Sequence, residues 1–309
     1  MISGFMIVKN VLKPGYPFVE AIASALPICD EFLISDGYST DGTFEIVQKI
    51  SKLNKKVRVF RQDWPKEKKI SIIGEVTNNI RKKCRLDYIF HVQANEIVHE
   101  ANTAFIKALP EMCPSVKTFS FPFLHLMRIY KWSQEFRLRL SKNLPYIMAL
   151  GDAWSLGVNR EFVFSEATRN LRNPRQLVRY FARGVEWTYA NSGGNTISRA
   201  IYLPKPIYRY WALFPEDFLE KCERHAEMFG ILGFKDTIKT LRTLLEDPPT
   251  FWETAAGLFS EGPLGFKYPN PLKTVDIEDH PRLIQDLMNN ASSKSYFVRE
   301  DVLELIRNL

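Results

Sequence analysis

Short apolar runs alternate with amphipathic segments over roughly the first 122 residues of the chain. Gly4–Val8 is a continuous apolar run typical of a buried strand, and after Pro17 the apolar positions recur at helical spacing on one face. Strands separated by helices predict right-handed βαβ crossovers and a mostly parallel sheet, which is an α/β fold class. The predicted strands are 4–8, 31–35, 57–60 and 87–92, and the predicted helices are 17–26, 43–50 and 71–85.

Beyond residue 122, the alternation of apolar runs and amphipathic segments is less regular. Residues 123–153 are rich in aromatic side chains and arginine and are expected to contain further strands, whereas later segments mostly show helical spacing. We expect an α/β domain at 1–205, ending within the stretch LPKPIYRYW, and a helical extension at 206–309 packed on it. The helices predicted in this half are 174–183, 216–232, 236–246, 280–290 and 299–308.

Composition narrows the class of protein. Of the 309 residues, 45% are hydrophobic and 25% charged, as in an ordinary globular protein. The four cysteines are dispersed without a CxxC pair, which argues against a zinc ribbon or a disulfide framework and fits a reducing compartment. No apolar run approaches the roughly 18 residues of a membrane-spanning helix, and the first residues lack the features of a signal peptide. We therefore expect a cytoplasmic protein.

Two polar clusters follow predicted strands, and ligands of parallel sheets bind beyond the carboxyl ends of the strands. The turn Asp36–Thr43 reads DGYSTDGT, with a carboxylate at the strand end and glycines that permit tight geometry. Asp36 can accept hydrogen bonds from a base or ribose, and Asp41 or Thr43 can cap the next helix. A capped turn without any ligand explains the same residues. The second cluster is Gln93–Glu96.

These segments resemble family 2 glycosyltransferases, whose GT-A fold binds a nucleotide-sugar. The resemblance lies in VKN at 8–10, in CDEFLISDGYSTDGT at 29–43 and in FHVQANEIVHE at 90–100. The family writes the turn as D-x-G-S-T-D-G-T, so Tyr38 stands where a glycine is usual. The resemblance implies a GT-A sheet, mixed and mostly parallel, that is flanked by helices and carries the helical extension. The matching positions of the turn are Asp36, Ser39, Thr40, Asp41, Gly42 and Thr43.

The resemblance also implies an activity and a set of binding residues. A sugar would pass from a nucleotide-sugar to a glycan or lipid-linked acceptor, with inversion at the anomeric carbon. Asp36 would contact the nucleotide base, and Asp41 would order the loop beside it. The residues expected at the nucleotide are Lys9, Asn10, Asp36, Ser39, Asp41, Asn78, Gln93 and Asn95.

The chain departs from the family at the metal site. The family's fourth strand ends in D-x-D-E, whose aspartates hold a divalent metal that neutralises the diphosphate. Here Gln93 and Asn95 replace those aspartates, which leaves Glu96 as the only carboxylate. Because Mg²⁺ favours carboxylate oxygens, we expect at most a weak Mg²⁺ or Mn²⁺ site, with Asn95 and Glu96 as ligands. Basic side chains in place of the metal, or a loss of sugar transfer, are the alternatives.

Basic segments could supply the missing positive charge. The formal net charge is +7, and the two candidate segments are 128–142 and the stripe formed by Arg175, Arg179 and Arg183. Such residues could clamp a diphosphate, or dock the protein peripherally on the inner face of a membrane that carries a lipid-linked acceptor. A solvated helix face explains the same stripe.

An inverting transfer also needs a carboxylate base that takes the proton of the acceptor hydroxyl. Asp152, in LGDAWSLG, is the first choice, since a GDA-like segment recurs in a similar microbial branch of the family, and a turn or cap is its alternative role. Glu186 and Asp217 are weaker candidates. The extension resembles the same branch more thinly: Arg209 stands in place of a histidine between two tyrosines, and His280 begins a matching His-Pro pair.

Other classes of function compete with a transferase. A catalytically silent relative that binds nucleotide or glycan as a partner protein would explain Gln93 and Asn95. A nucleotidyltransferase is disfavoured because no glycine-rich phosphate loop with a lysine follows the first strand. A nucleic-acid binder would explain the charge but not the turn motifs, and no nucleic-acid-binding module is present in the sequence.

Overall fold

The structure is a computed structural model that describes residues 1–65, 71–149, 151–158, 199–229, 233–260, 272–289 and 293–309. Two sheets are present within these residues, one of ten strands and one of two. The strands are β1 (Ile2–Val8), β2 (Glu31–Asp36), β3 (Val57–Arg61), β4 (Tyr88–His91), β5 (Glu96–Val98), β6 (Thr118–Met127), β7 (Tyr130–Lys142), β8 (Ile147–Ala149), β9 (Leu156–Val158), β10 (Arg199–Ala200), β11 (Ile207–Ala212) and β12 (Lys273–Thr274).

The helices lie around the large sheet. They are α1 (Phe18–Ala25), α2 (Thr43–Leu53), α3 (Ser71–Arg81), α4 (Thr103–Met112), α5 (Pro215–Phe229), α6 (Gly233–Arg242), α7 (Pro248–Ser260), α8 (Arg282–Met288) and α9 (Glu300–Asn308), with single 3₁₀ turns at Glu100–Asn102 and Ile277–Asp279.

The strand order creates a crevice at one edge of the sheet. The order is β3-β2-β1-β4-β7-β6-β11-β5, and β1, β2, β3 and β4 are mutually parallel where they pair. The chain runs outward from β1 to β3 and then returns to pair β4 on the other side of β1. Such a change of direction is the topological switch point at which open α/β sheets bind ligands. The carboxyl ends of β1 and β4 border this crevice.

Apolar side chains cover both faces of the sheet. On one face the buried core includes all of α1 and the inner sides of α8 and α9. On the other face, Phe5, Leu33 and Ile89 pack with Ile80 of α3 and with β8 and β9. A further apolar cluster joins α5, α6 and α7 to β11, with Phe218 and Trp252 at its centre. The burial of strands on two faces explains why they read as continuous apolar runs rather than alternating ones.

The structure confirms the predicted fold class, a mixed and largely parallel α/β sheet flanked by helices. The four predicted strands and the three helices between them are present, and 123–153 contains parts of β6 and β7 and all of β8. β11, which belongs to the expected helical extension, lies inside the large sheet between β6 and β5. The predicted helix at 174–183 lies outside the described residues. No helix within the described ranges is long and apolar enough to cross a membrane.

Candidate functional site

The loop after β1 and the turn after β2 are locked together at the crevice. The amide of Asn10 donates to Oγ of Ser39 over 2.9 Å, and Oδ1 of Asn10 accepts from the amide of Thr40 over 2.8 Å. Asn10 adopts a positive φ of 49°, a conformation in which asparagine is enriched. The side chains of Asn10 and Ser39 therefore bind protein backbone and shape the rim of the crevice.

Asp41 and Thr43 extend this lock. The two oxygens of Asp41 accept from the amides of Lys13 (3.0 Å) and Thr43 (3.1 Å), and Oγ1 of Thr43 accepts from the amides of Val11 (3.1 Å) and Leu12 (3.3 Å). Burial raises the pKa of Asp41, but these hydrogen bonds outweigh it and hold the pKa below its usual value. Asp41 is therefore charged at neutral pH, and it joins the two loops.

Asp36 is fully buried at the end of β2. Its carboxylate accepts from the amide of Ser39, over 3.3 and 3.2 Å, and from Nε of Arg61 over 3.2 Å. The guanidinium of Arg61 lies between the rings of Tyr38 (4.2 Å) and Phe44 (3.9 Å) and is 36% exposed. Tyr38 has a φ of 57°, which explains why a glycine is usual at this position in the family that the turn resembles. No described residue accepts from Nη1 or Nη2 of Arg61, so these donors are available beside Asp36.

Trp64 closes one side of the crevice. Nζ of Lys9 lies 5.3 Å from the centre of its ring. A Cβ on Gly37 would stand only 2.5 Å from Nε1 of Trp64 and 2.9 Å from Cδ of Lys9. Nε1 of Trp64 is buried and has no hydrogen-bond partner among the described residues. These side chains line the edge of the turn with a flat aromatic surface, an unused donor and a cation.

The three residues that follow β4 at the expected metal position have protein partners. Oε1 of Gln93 accepts from Nε of Arg209 over 3.3 Å, and its Nε2 donates to the carbonyl of Ala153 over 3.0 Å. The side-chain amide of Asn95 donates to the carbonyl of Tyr210 over 2.8 Å. Glu96 is buried, and its oxygens accept from Nη2 (2.5 Å) and Nε (3.0 Å) of Arg139. Burial raises the pKa of Glu96, but the Arg139 charge and hydrogen bonds outweigh this and lower the pKa to about 2.

A second buried ion pair lies beside the first. Glu135 contacts both Arg137, through Nε and Nη2, and Nε2 of His125, which is 2.8 Å away. Burial lowers the pKa of His125 to about 4 even though Glu135 raises it, so the imidazole is neutral at pH 7. Burial also lowers the pKa of Arg137, and the nearby charge of Arg209 lowers it further. Together with the first pair and Arg209, these residues form a cluster of three guanidinium groups and two carboxylates.

Trp154 connects this cluster to the turn that carries Asp152. Its ring lies 3.3 Å from the guanidinium carbon of Arg137 and 4.3 Å from that of Arg209, and it stacks on His125. Its carbonyl accepts from Nη1 of Arg137 over 2.7 Å. The amide of Trp154 donates to Oδ1 of Asp152 over 3.1 Å. The side chain of Gln93 binds the carbonyl of Ala153, the residue between Asp152 and Trp154. This contact brings Asp152 close to the end of β4.

The side chain of Asn78 binds β8, the strand that leads into the same turn. Its side chain donates to the carbonyl of Ala149 and accepts from the amide of that residue, both over 2.8 Å. The amide of Gly74 donates to the carbonyl of Gly151 over 3.0 Å, and a Cβ on Gly74 would stand 2.5 Å from that oxygen. Both polar groups of the Asn78 side chain are therefore used to fix β8, and its expected contact with nucleotide stays a prediction.

The residues present do not fit a divalent cation. The carbonyl oxygen of Gln93 faces a guanidinium, the Asn95 amide is bound to the sheet, and Arg139 occupies both oxygens of Glu96. Within the described residues, no group of three or more His, Cys, Asp or Glu side chains could hold a metal ion. Hard cations require oxygen ligands that are free of competing positive charge. These contacts argue against Glu96 as a metal ligand, and the expected role of Asn95, whose contact here uses Nδ2, stays a prediction.

The other candidates from the sequence have different positions. Asp217 is buried on α5 behind the first loop, where it packs on Gly15 and accepts from the amide of Tyr296 over 3.0 Å. The buried ring of His280 hydrogen bonds to the hydroxyl of Tyr210 over 2.7 Å, which gives the His-Pro pair a structural role. Glu186 and the stripe that contains Arg179 lie outside the described residues.

Sequence reasoning missed three residues of this site. Arg209 had the clearest signal, since it replaces an expected histidine between two tyrosines. Trp154 lies two residues after Asp152 but belongs to no recognised motif. Arg61 ends a strand without any local pattern that marks it. Only pairing between distant segments brings these side chains to the crevice.

A scan against known protein families finds no match, and a search of curated proteins finds no significant match either. Solved structures similar to the chain include S. aureus TarS 1-349 in complex with UDP, at 19% identity and a TM-score of 0.29, covering 41% of this chain and 35% of that one. Another crystal structure of S. aureus TarS 1-349 has 14% identity and a TM-score of 0.36, covering 99% of this chain and 89% of that one.

A third similar structure is the mannosyltransferase PcManGT from Pyrobaculum calidifontis in complex with GDP-Man and Mn2+, at 12% identity and a TM-score of 0.38, covering 86% of this chain and 76% of that one. The chain spans about a third of the length of the TarS structures with UDP and UDP-GlcNAc. These likenesses concern the overall fold, whereas the chemistry of the site is set by the side chains described above.

Proposed function

We propose that the chain is a glycosyltransferase that takes a sugar from a nucleotide-sugar bound in the crevice between β1 and β4. The observation that carries the proposal is the lock between the loop after β1 and the DGYSTDGT turn, through Asn10, Ser39 and Asp41. This lock lies at the switch point of the sheet, where α/β proteins bind nucleotides. The motif resemblance of the same two segments supports the same ligand.

The nucleoside is proposed to lie against Lys9 and Trp64. A ring there could stack on Trp64, while Arg61 presents donors beside Asp36. Asp36 would then act on the base through Arg61, because its own carboxylate is buried and paired. The diphosphate would extend from there toward Gln93 at the end of β4.

The proposed reaction is a single displacement. The oxygen of an acceptor hydroxyl forms a bond to the anomeric carbon, and the bond from that carbon to the diphosphate oxygen breaks. The nucleoside diphosphate leaves with the bonding electron pair, and the hydroxyl proton passes to a carboxylate. We assign that base to Asp152, because its turn is bound to Gln93 at the end of β4. The anomeric configuration is inverted in such a step.

The acceptor is proposed to be a glycan or a lipid-linked saccharide. The resemblance implies work at the inner face of a membrane, where the basic stripe at Arg175, Arg179 and Arg183 would bind anionic lipid, each cation contributing about 1 kcal/mol. Charge reversal at Arg179 is expected to abolish sedimentation with anionic liposomes and to leave turnover of a soluble acceptor unchanged. The opposite result would assign the stripe to the diphosphate.

A catalytically silent nucleotide-binding protein is the second candidate. The observation that favours it is the full engagement of Glu96 by Arg139 where the family has metal ligands. Titration calorimetry with UDP, GDP, UDP-GlcNAc and GDP-mannose tests the shared binding step, and release of nucleoside diphosphate on incubation with acceptor tests turnover. Binding without release would favour the silent relative. Absence of binding by every nucleotide would contradict both functions.

A further inference from the structure

One cation of the charged cluster at the end of β4 forms no direct ion pair within the described residues. The cluster contains three guanidinium groups, from Arg137, Arg139 and Arg209, and two carboxylates, from Glu96 and Glu135. Glu96 binds Arg139 through both of its oxygens, and Glu135 binds Arg137. Both oxygens of Glu96 are therefore used by Arg139, whereas Glu135 contacts Arg137 and His125 through Oε1 alone. Arg209 is left without a carboxylate within ion-pair distance among the described residues.

The contacts of Arg209 leave one edge of its guanidinium open. Nε donates to Gln93 over 3.3 Å, and the flat face lies 4.3 Å from the ring of Trp154. The side chain is half-buried. No described residue accepts a hydrogen bond from its Nη1 or Nη2. Arg209 is thus a cation held by Gln93 and Trp154, and within the described ranges two of its donor nitrogens, Nη1 and Nη2, have no acceptor.

The charge of Arg209 is also costly to its surroundings. It lowers the pKa of Arg137, of His125 and of the buried ammonium of Lys221, although burial is the larger cause in each case. Glu96 and Glu135 attract the guanidinium of Arg209 and offset part of this repulsion, although neither forms a direct ion pair with it. A diphosphate anion in contact with Arg209 would compensate the charge that remains, whereas a divalent cation would add to the repulsion.

We infer that Arg209, supported by Trp154 and Gln93, binds the diphosphate of the donor in place of a divalent metal. The inference rests on the proposed function and deepens it. A guanidinium matches phosphate oxygens with two parallel hydrogen bonds, and an aromatic face beneath it fixes its plane. Arg209 would then stabilise the negative charge that develops on the leaving diphosphate, without any metal.

The first test compares two arginine variants in excess EDTA. UDP, GDP and inorganic pyrophosphate are titrated into the wild-type protein, into Arg209→Met and into Arg58→Met. Arg58 is the control because its guanidinium also lies against one aromatic ring, that of Phe60, but it pairs with Glu31 and lies near the start of β3. For the wild type and for Arg58→Met, the affinity for each anion is expected to be the same in EDTA as in Mn²⁺. Arg209→Met is expected to bind them about 10- to 100-fold more weakly.

The second test uses Gln93→Glu, in which the substituted side chain has nearly the same shape. The added carboxylate would neutralise Arg209, so the binding of UDP in EDTA is expected to weaken about 10-fold or more. If the site is instead built for a metal, the added carboxylate improves the ligand set, and in the presence of Mn²⁺ Gln93→Glu should bind UDP no less tightly than the wild type. Arg209→Lys keeps the charge and loses the planar guanidinium. Its affinity for UDP is expected to lie between that of the wild type and that of Arg209→Met.

The outcomes separate the inference from the proposed function. Binding of UDP or GDP that requires Mn²⁺ would overturn the role of Arg209 and leave the proposed function standing. Equal affinities for wild type and a folded Arg209→Met protein, as judged by thermal unfolding, would also overturn the inference. If neither UDP nor GDP binds under any condition, the proposed function fails. In that case, pyrophosphate alone tests Arg209. If the wild type binds pyrophosphate in EDTA and Arg209→Met does not, the anion site is supported, and any other result overturns it.

Discussion

Arg139 and Glu96 form a bidentate ion pair inside the sheet, with both side chains essentially unexposed. The pair joins β7 to the start of β5, and Glu96 also accepts from the amide of Gln93 over 3.0 Å. It therefore fixes the backbone at the place where the metal-binding aspartates of the resembled family would lie. A buried charge whose partner is removed is strongly destabilising, because the remaining ion has neither water nor a counter-charge.

Glu96→Gln is expected to lower the free energy of unfolding by about 3–5 kcal/mol, measured by urea denaturation. The matched control is Glu300→Gln, which breaks the exposed pair with Lys49 and should change stability by no more than about 0.5 kcal/mol. Because the pKa of Glu96 is lowered to about 2, the contribution of its charge is fully present above pH 4.5 and is lost as the pH falls toward 2. A small effect of Glu96→Gln would mean that Arg139 finds another partner.

Glu20 gives the opposite pH dependence. It lies fully buried in α1, where Oε2 accepts from the hydroxyl of Tyr296 over 2.9 Å and Oε1 has no partner among the described residues. Burial raises its pKa from 4.5 to about 7. The folded protein therefore keeps this proton between pH 4.5 and 7 while the unfolded chain releases it. The stability that the protonated form provides is present below pH 4.5 and is lost as the pH rises through 7.

Glu20→Gln mimics the protonated form and should remove this pH dependence. The variant is expected to be more stable than the wild type at pH 8, by at most about 3 kcal/mol, and nearly equal to it at pH 4.5. Urea denaturation at the two pH values measures the difference. Glu45→Gln, at an exposed position of α2, controls for the loss of a helical carboxylate. A stability gain at pH 8 that matches the gain at pH 4.5 would contradict a raised pKa in the folded state.

Gly37 offers a test of the proposed nucleoside position. A methyl group there would push Trp64 and Lys9 aside, because its carbon would stand 2.5 and 2.9 Å from their side-chain atoms. Gly37→Ala is therefore expected to weaken UDP or GDP binding by about 10-fold or more, measured by calorimetry, with little loss of stability. Gly257→Ala on α7 is the matched control, since no described residue lies within 4 Å of its added carbon. Unchanged affinity in Gly37→Ala would place the nucleoside elsewhere.

The sequence predicted the parts of the fold that depend on local patterns. The four strands and three helices of the first hundred residues follow from apolar spacing, and the DGYSTDGT turn follows from residues that favour turns and caps. The order of the later strands has no such signal, because it depends on pairing between distant segments. β11 enters the sheet between β6 and β5, and no periodicity in its own residues indicates those neighbours.

The same physical reason limits what the sequence says about the site. Arg209 and Gln93 are 116 residues apart, and Arg139 and Glu96 are 43 apart, so neither pair can be recognised by spacing. The resemblance predicts aspartates at 93 and 95, where the sequence has Gln93 and Asn95, and this difference suggested a compensating positive charge. Which arginine provides that charge depends on how β7 and β11 are placed. The basic segment 128–142 includes Arg137 and Arg139, yet both of these have carboxylate partners.

Asp152 provides the sharpest test of catalysis. Its Oδ1 accepts from the amide of Trp154, a contact that either a catalytic base or a simple turn residue would make. Asp152→Asn keeps this acceptor and removes the ability to take a proton. If Asp152 is the base, the variant should bind UDP or GDP like the wild type and lose about 100-fold or more in kcat, because general base catalysis contributes about 10²–10⁴-fold. Asp87→Asn, at an exposed position before β4, is the control. Unchanged turnover in Asp152→Asn would assign this carboxylate to the turn and leave the base to another residue.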